Sequence, residues 1–246
     1  ITTQVHIHVS YMVSVIIPAH NERHNLTKLL DYLEKVCQGY PFEIIISLSI
    51  TNNDGSKMIP VNGNVQFWEC DKKSRAIQMN QGAAQAKGDV LVFLHADVIP
   101  PKTFLEDIMQ TMAVGEEAGF FSYQFDSDSF FLKINSYFTK LDTLFTGGGD
   151  QCLFIKRNVF DMLDGFKENQ SVMEDFEFFG RMKKKGVRYK IIQQNLLVSA
   201  RKYENNSYVR VNLSNLLLVI LFKFGCSSEK LKNLHDKLIH VPSRIN

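Results

Sequence analysis

Three groups of residues have the types and placement to do chemistry. Asp97 follows an apolar run at 90–94. The exit of a buried strand is where ligands bind in α/β sheets, and Mg2+ or Mn2+ needs only one or two carboxylates when substrate phosphates supply the other oxygens. The same acid would equally cap the helix that follows. Glu174 and Asp175 precede an amphipathic stretch, Phe176, Phe179 and Met182, that ends in Lys183, Lys184, Lys185 and Gly186. An acid there can act as general base toward an acceptor hydroxyl. Acids at a helix start and lysines at its end also match the helix dipole without further purpose. Arg201 and Lys202 follow an extended segment, and Arg75 stands near Lys72 and Lys73. These cations either neutralise a departing diphosphate or lie solvated on the surface. Gly147, Gly148 and Gly149 form a turn, or let backbone approach a ligand closely.

The elements that must hold these residues can be read from periodicity. Residues 13–17, 43–48, 65–68 and 90–94 are short apolar runs, which read as buried strands. Leu26, Leu29, Leu30, Leu33 and Val36 mark one face of a helix, 76–86 suits a second, and the pattern after Pro100 and Pro101 suits a third. Asn52, Asn53, Asp54, Gly55 and Ser56 are a turn cluster. Alternating strands and helices with fully apolar strands predict an α/β fold, a mainly parallel sheet covered on both faces. The segments 18–22, 49–56 and 95–97 should therefore gather at one edge of the sheet. Farther on, 120–125 reads as a strand, 131–145 as a helix and 151–155 as a strand. A helix runs from about 173 to 186, 187–198 is extended, and 209–224 is an apolar helix.

Composition narrows the class. The 246 residues are 45% apolar and 22% charged, which suits a single soluble domain with its own core. A net charge of +2 argues against a nucleic-acid binder. Cys37, Cys70, Cys152 and Cys226 form no CxxC pair and read as reduced thiols, which points to a cytoplasmic protein. The histidines lack zinc spacing, and neither a GxGxxG nor a Walker A loop is present, which disfavours dehydrogenase and kinase readings. Residues 1–11 alternate Val5, Ile7 and Val9 with polar neighbours; they read as an extension, an extra edge strand before a domain over 12–246. No signal peptide is recognisable there. The longest apolar run, 216–222, is too short to span a bilayer. With its flanking lysines, 213–224 either packs on the core or lies on the inner membrane surface, where it would admit a lipid-linked acceptor.

Taken together, the segments resemble the family 2 glycosyltransferases. The resemblance rests on Val13-Ser14-Val15-Ile16-Ile17-Pro18-Ala19-His20-Asn21-Glu22, then Gln78-Met79-Asn80-Gln81-Gly82-Ala83, then Phe93-Leu94-His95-Ala96-Asp97. Gly148-Gly149-Asp150-Gln151, Met173-Glu174-Asp175 and Ser199-Ala200-Arg201-Lys202 follow in the family's order. The match is closest to the bacterial branch described as radical-SAM/selenodomain-associated transferases, in which His-Ala-Asp replaces Asp-x-Asp. The resemblance implies a GT-A fold, a nucleotide-diphosphate sugar donor, a Mg2+ or Mn2+ cofactor and an inverting displacement. It makes Asp97 the metal-binding acid and Asp175 the catalytic base, with Glu174 beside it. Nucleotide and donor contacts would fall to Pro18, Ala19, Asn21, Glu22, Ser47, Arg75, Asn80, His95 and Ala96. Gly149, Asp150 and Gln151 would border donor sugar and acceptor, and Arg201 the diphosphate. Two positions depart from the pattern: Ser47 stands about where relatives carry an Asp, and Ile77 where they often carry an Arg.

Two other functions share much of this reading. A sugar nucleotidyltransferase has similar architecture but uses a Gly-rich basic loop after the first strand, which is missing here. A non-catalytic nucleotide-sugar binder would keep the fold while losing turnover, and Ser47 and Ile77 point that way.

Overall fold

A computed structural model describes residues 11–239. The expected N-terminal edge strand therefore lies, apart from Tyr11, outside the described residues. Strands β1 (Val13–Ala19), β2 (Phe42–Leu48), β3 (Val65–Glu69) and β4 (Val90–Phe93) alternate with helices α1 (Arg23–Val36) and α2 (Arg75–Gln85). The chain continues through β5 (Val98–Ile99), α3 (Phe104–Ala113), β6 (Ala118–Phe125), α4 (Phe130–Phe138), β7 (Phe154–Lys156) and α5 (Arg157–Met162). It ends with α6 (Glu174–Lys184), β8 (Tyr189–Val198), α7 (Arg201–Glu204), α8 (Tyr208–Lys223) and α9 (Ser228–Leu238).

The strands form one eight-stranded sheet in the order β3-β2-β1-β4-β7-β6-β8-β5. β1 pairs in parallel with both β2 and β4, and β2 with β3, so the first four strands are as expected. β7 then runs antiparallel between β4 and β6, and β5 antiparallel to β8. The core lies on both faces of the sheet. One layer packs α1 and α3 against it through Leu26, Leu29, Leu33, Phe104 and Ile108. The other packs α2, α5 and α6 through Ala76, Met79, Phe160, Phe178 and Met182. Strands buried on both faces read as near-continuous apolar runs, which is why β1, β2 and β4 were legible.

Two expectations need correction. The helix expected over 131–145 stops at Phe138, because Thr139 turns back to accept from Gln151 and bond Tyr123. The strand expected over 151–155 is displaced to β7, and Gly149–Gln151 form a short 3-10 turn instead. The elements β5, α5, α7 and α9 were not anticipated. Among the described residues, no helix is long and apolar enough to cross a membrane.

Candidate active site

Strand register brings the chemistry together. β1 and β2 end side by side at Ala19 and Leu48, and β4 ends beside Ile16. The loops 18–22, 49–56 and 94–97 therefore share one edge. There Ser49 N–H donates to the Ala19 carbonyl, and Asn21 is bonded twice to the 52–53 turn: Asn21 N–H donates to Asn52 Oδ1 at 2.8 Å, and Asn53 N–H donates to Asn21 Oδ1 at 2.9 Å. Asp54 accepts from Arg23 N–H and from Ser56, so it fastens this loop to the start of α1. Glu22 accepts from Asn25 within the first turn.

The antiparallel β4–β7 pairing matches Val92 with Phe154. Continuing three residues out of β4 and three back from β7 sets His95 beside 150–151. His95 Nδ1 duly lies 3.6 Å from Asp150 Oδ1. Burial disfavours a charged imidazole, but the Asp150 bond and the charges of Asp150 and Asp175 outweigh it, so His95 titrates above its ordinary value. Burial opposes ionisation of Asp150 too, yet His95, Lys202 and Arg75 hold it below the usual carboxylate range.

The short β5–β8 ladder does the same for the next pair. Val98 faces Val198 in antiparallel register, so Asp97 and the residues after Val198 lie at one end. Arg201 donates from its guanidinium to Asp97 Oδ2 at 3.0 Å. Both side chains are partly exposed at the rim.

Two helix starts close the group. α2 begins with Arg75 and α6 with Glu174 and Asp175. Arg75 pairs with Glu174 at 3.1 Å; the guanidinium is 52% exposed and the carboxylate only 4%. Glu174 first, with Asp175, Asp150 and Asp97 adding to it, raises the Arg75 pKa. A single cation thus senses the acids from three loops. Burial, and then the charge of Glu174, push the Asp175 carboxyl up to about 7, against the pull of Arg75 and His95. Gly149 lies directly against this acid: a Cβ there would fall 2.5 Å from Asp175 Oδ2 and 2.6 Å from His95 Cε1. Real Cβ atoms do not come so close, so any side chain at 149 would displace Asp175 or His95.

One loop holds the two helices in place. Asn80 of α2 accepts from Phe166 N–H and donates to its carbonyl, and Arg181 of α6 donates to the carbonyls of Leu163 and Gly165. Arg75 and Glu174 are set opposite each other through this shared anchor.

The expected site residues thus divide. His95, Asp97, Asp150, Glu174, Asp175, Arg75 and Arg201, with Gly149, form one charged group. Pro18, Ala19, Asn21 and Glu22 share its edge of the sheet. Four residues do not offer side chains to it. Ser47 is fully buried, with its hydroxyl beneath Gly82 and no hydrogen-bond partner, because alternation points it at α2. Both polar ends of the Asn80 amide are taken by Phe166. Gln151 is buried, accepts from Gly147 N–H and donates to Thr139, which makes it a staple for the glycine loop. The Ala96 methyl is in the core. Gln78, quoted in the sequence only as the start of a motif, has a structural role that the motif did not disclose. Its buried amide donates to the carbonyls of Ala19 at 2.8 Å and Ser47 at 2.7 Å, tying together the ends of β1 and β2. A glutamine between the buried Ile77 and Met79 was the available signal.

A void of about 10 Å³ beneath His95, Gly149 and Asp175 has room for no more than a water. The larger groove, about 550 Å³, lies elsewhere, between α4 and the ends of β6 and β8. Its lining carries charges of its own, Asp126, Asp128, Lys133 and Lys140, but none of Arg75, Asp97, Asp150, Asp175 and Arg201, which interact with one another at the strand ends.

With this geometry in place, residues 14–160 match the family described as Glycosyl transferase family 2. The chain belongs to that family. Its fold is that of the GT-A glycosyltransferases. A mannosyltransferase from Pyrobaculum calidifontis, solved with GDP-Man and Mn2+, superposes with a TM-score of 0.63 at 15% identity, covering 87% of this chain and 64% of that one. S. aureus TarS 1-349 with UDP-GlcNAc gives 0.62 at 15% identity, covering 92% and 71%. The same TarS fragment without a named ligand gives 0.58 at 14% identity, covering 85% and 65%. The chain therefore spans a little under two thirds of the mannosyltransferase's length. No curated protein sequence matches it.

The mannosyltransferase structure contains Mn2+, which raises the question of which residues here could hold a cation. Among the described residues no group of three or more His, Cys, Asp or Glu could hold an ion. Asp97 offers a hard carboxylate at the rim with one oxygen on Arg201. That donor set fits a cation arriving with a diphosphate, because Mg2+-type sites take most of their ligands from phosphate and water.

Proposed function

We propose that this chain is an inverting, metal-dependent glycosyltransferase that moves a sugar from a nucleotide-diphosphate donor to a hydroxyl acceptor. The single observation that carries the reading is the placement of Asp175, with its raised pKa, beside Gly149 and His95, in the field of the same Arg75 that senses Asp97. A base near neutrality works best when its pKa lies near the working pH. The His95-Ala96-Asp97 segment supports placing the chain in the radical-SAM/selenodomain-associated branch.

Asp97 would hold Mg2+ or Mn2+, which, when bound, neutralises charge on the diphosphate. Arg75 and Arg201 would hold the phosphates and stabilise the negative charge that develops as the anomeric C–O bond breaks. Asp175 accepts the proton of the acceptor hydroxyl as that oxygen bonds to the anomeric carbon from the opposite face. Glu174 keeps Arg75 in place and is not itself the base: it is buried and already paired. Donors bound by the similar structures, GDP-mannose and UDP-GlcNAc, make nucleotide-diphosphate hexoses the first compounds to test.

The test is a thermal-shift screen of nucleotide-diphosphate sugars with and without Mn2+, followed by donor hydrolysis. A bound donor raises Tm with the logarithm of its saturation. The expected result is a Mn2+-dependent shift with one donor and slow release of its nucleoside diphosphate. Binding with no release under any metal would favour the non-catalytic binder. Release of pyrophosphate from sugar phosphate and a nucleoside triphosphate would favour the nucleotidyltransferase.

A further inference from the structure

The outward side of α4 inverts the usual pattern of a surface helix. Its inward positions Leu132 and Ser136 are buried, while Phe130, Phe131, Ile134, Tyr137 and Phe138 are exposed, Phe130 by 71%. At 100° per residue these five fall within a single arc. α8 repeats the inversion. Val211, Ser214, Leu218 and Val219 face the protein, and Val209, Leu213, Leu217 and Ile220 face outward, followed by Phe224 at 86% exposed.

The two helices are clasped to each other. Asn135 of α4 donates to Asn212 Oδ1 at 2.9 Å and accepts from Tyr208 O–H at 2.7 Å, while Phe131 packs on the Tyr208 ring at 5.1 Å. The outward stripes therefore border one another. Exposed apolar stripes on two helices joined in this way mark a docking site.

We propose that α4 and α8 together form a docking surface for an anionic lipid bilayer, on which the protein lies without crossing it. Charge selects this occupant. Neither helix contains an acid, and Lys133, Arg210 and Lys223 lie on them. The exposed Asp128 lies only 3.5 Å from Lys133, the one acid seen to pair with these cations. Aromatic rings and long cationic side chains at the margin of an apolar face suit the headgroup boundary, and a flat protein partner would not require the cations. Neither helix is long and apolar enough to span the bilayer.

The surface adjoins the charged site. α4 leads through residues 139–146 to Gly147 and Gly149, and α8 follows the short α7 that begins with Arg201. Resting on the proposed transferase reading, this placement would present a lipid-linked acceptor to Asp175.

Flotation of the full chain with vesicles tests the surface without using donor chemistry, so its outcome is separate from that of the transferase reading. Wild type is expected to float with phosphatidylcholine vesicles containing phosphatidylglycerol at low salt, and much less with phosphatidylcholine alone. Joint substitution Phe130→Ser, Phe138→Ser, Leu213→Ser and Phe224→Ser is expected to lower the bound fraction at least about tenfold, with circular dichroism and Tm unchanged. Should that variant fail to fold, Leu213→Ser with Phe224→Ser alone is expected to weaken binding. Wild type that stays unbound, or variants that float like wild type, would overturn the proposal. So would a concentration-dependent dimer in sedimentation velocity that the same substitutions abolish without any vesicle binding.

Discussion

Arg201 and Asp97, 104 positions apart in sequence, form an ion pair at 3.0 Å. The pair depends on β5, two residues that hydrogen-bond to the end of β8. Asp97 is therefore charge-matched before a ligand arrives. On the proposed reading, a cation carried in by a diphosphate would meet an acid that is already oriented, with Arg201 at hand for the phosphates.

Asp97→Ala is expected to abolish Mn2+-dependent donor binding while leaving the fold intact. Isothermal calorimetry is the measurement. Donor and Mn2+ affinities equal to wild type would remove Asp97 from the metal role.

Asp175→Asn keeps the size of the side chain and removes its ability to take a proton. Donor binding is expected to persist while transfer falls about 10²- to 10⁴-fold, the usual contribution of a general base. Equal loss of donor affinity would instead make Asp175 a binding residue.

The proposed base role requires Asp175 to be ionised, so transfer is expected to rise with pH through about 7. Glu174 is the second cause of that raised value, after burial, so Glu174→Gln should move the rise to lower pH. A profile that does not move would show that Glu174 does not act on Asp175. Stability follows from the same shift. The native state holds the Asp175 proton up to about 7, whereas the unfolded chain releases it near an ordinary carboxylate value, so the folded state binds more protons between the two. Stability contributed by this group is present at low pH and is lost as pH rises through that window. Asp175→Asn should flatten the dependence in urea titrations taken at several pH values.

Gly149→Ala would force a methyl against the side chains of Asp175 and His95, which must shift to admit it. A cost of about 1–3 kcal/mol is expected, with a larger loss in transfer. Gly180 is the control: nothing lies within 4 Å of its missing Cβ in the middle of α6, so Gly180→Ala should stabilise by about 0.5–1 kcal/mol. Denaturation midpoints of the two variants moving in the same direction would contradict this account of Gly149.

Ser47→Ala removes a buried hydroxyl that has no hydrogen-bond partner. Stability is expected to hold or to rise by up to about 1 kcal/mol, with donor affinity unchanged. A drop in donor affinity would return Ser47 to the site.

How much of this was legible depends on whether the signal is local. The apolar runs of β1, β2 and β4 show in the sequence because a strand buried on both faces has no polar alternation to interrupt it. Asp97 and Asp175 stand out for a similar reason, each following or opening a strongly patterned segment. Ser47 misled because position at a strand end does not say which face a side chain takes. Asn80 and Gln151 turn elsewhere because a motif names residue types, while their amides are claimed by backbone groups: Phe166, far along the chain, for Asn80, and the nearby Gly147 and Thr139 for Gln151. The end of α4 was overrun because apolar residues continue to Phe145 on what proves to be an exposed surface.

The sequence by itself determined the alternation of strands and helices, the loops that leave the strand ends and an α/β class with a mainly parallel sheet, since these follow from periodicity over a few residues; the GT-A type came from the resemblance of its motifs to family 2 glycosyltransferases. Only tertiary structure decided that β7 inserts antiparallel beside β4 and that β5 reaches β8. Those two pairings set Asp150 against His95 and Arg201 against Asp97. Register between strands far apart in the chain is settled by packing of the whole sheet, and no local pattern encodes it.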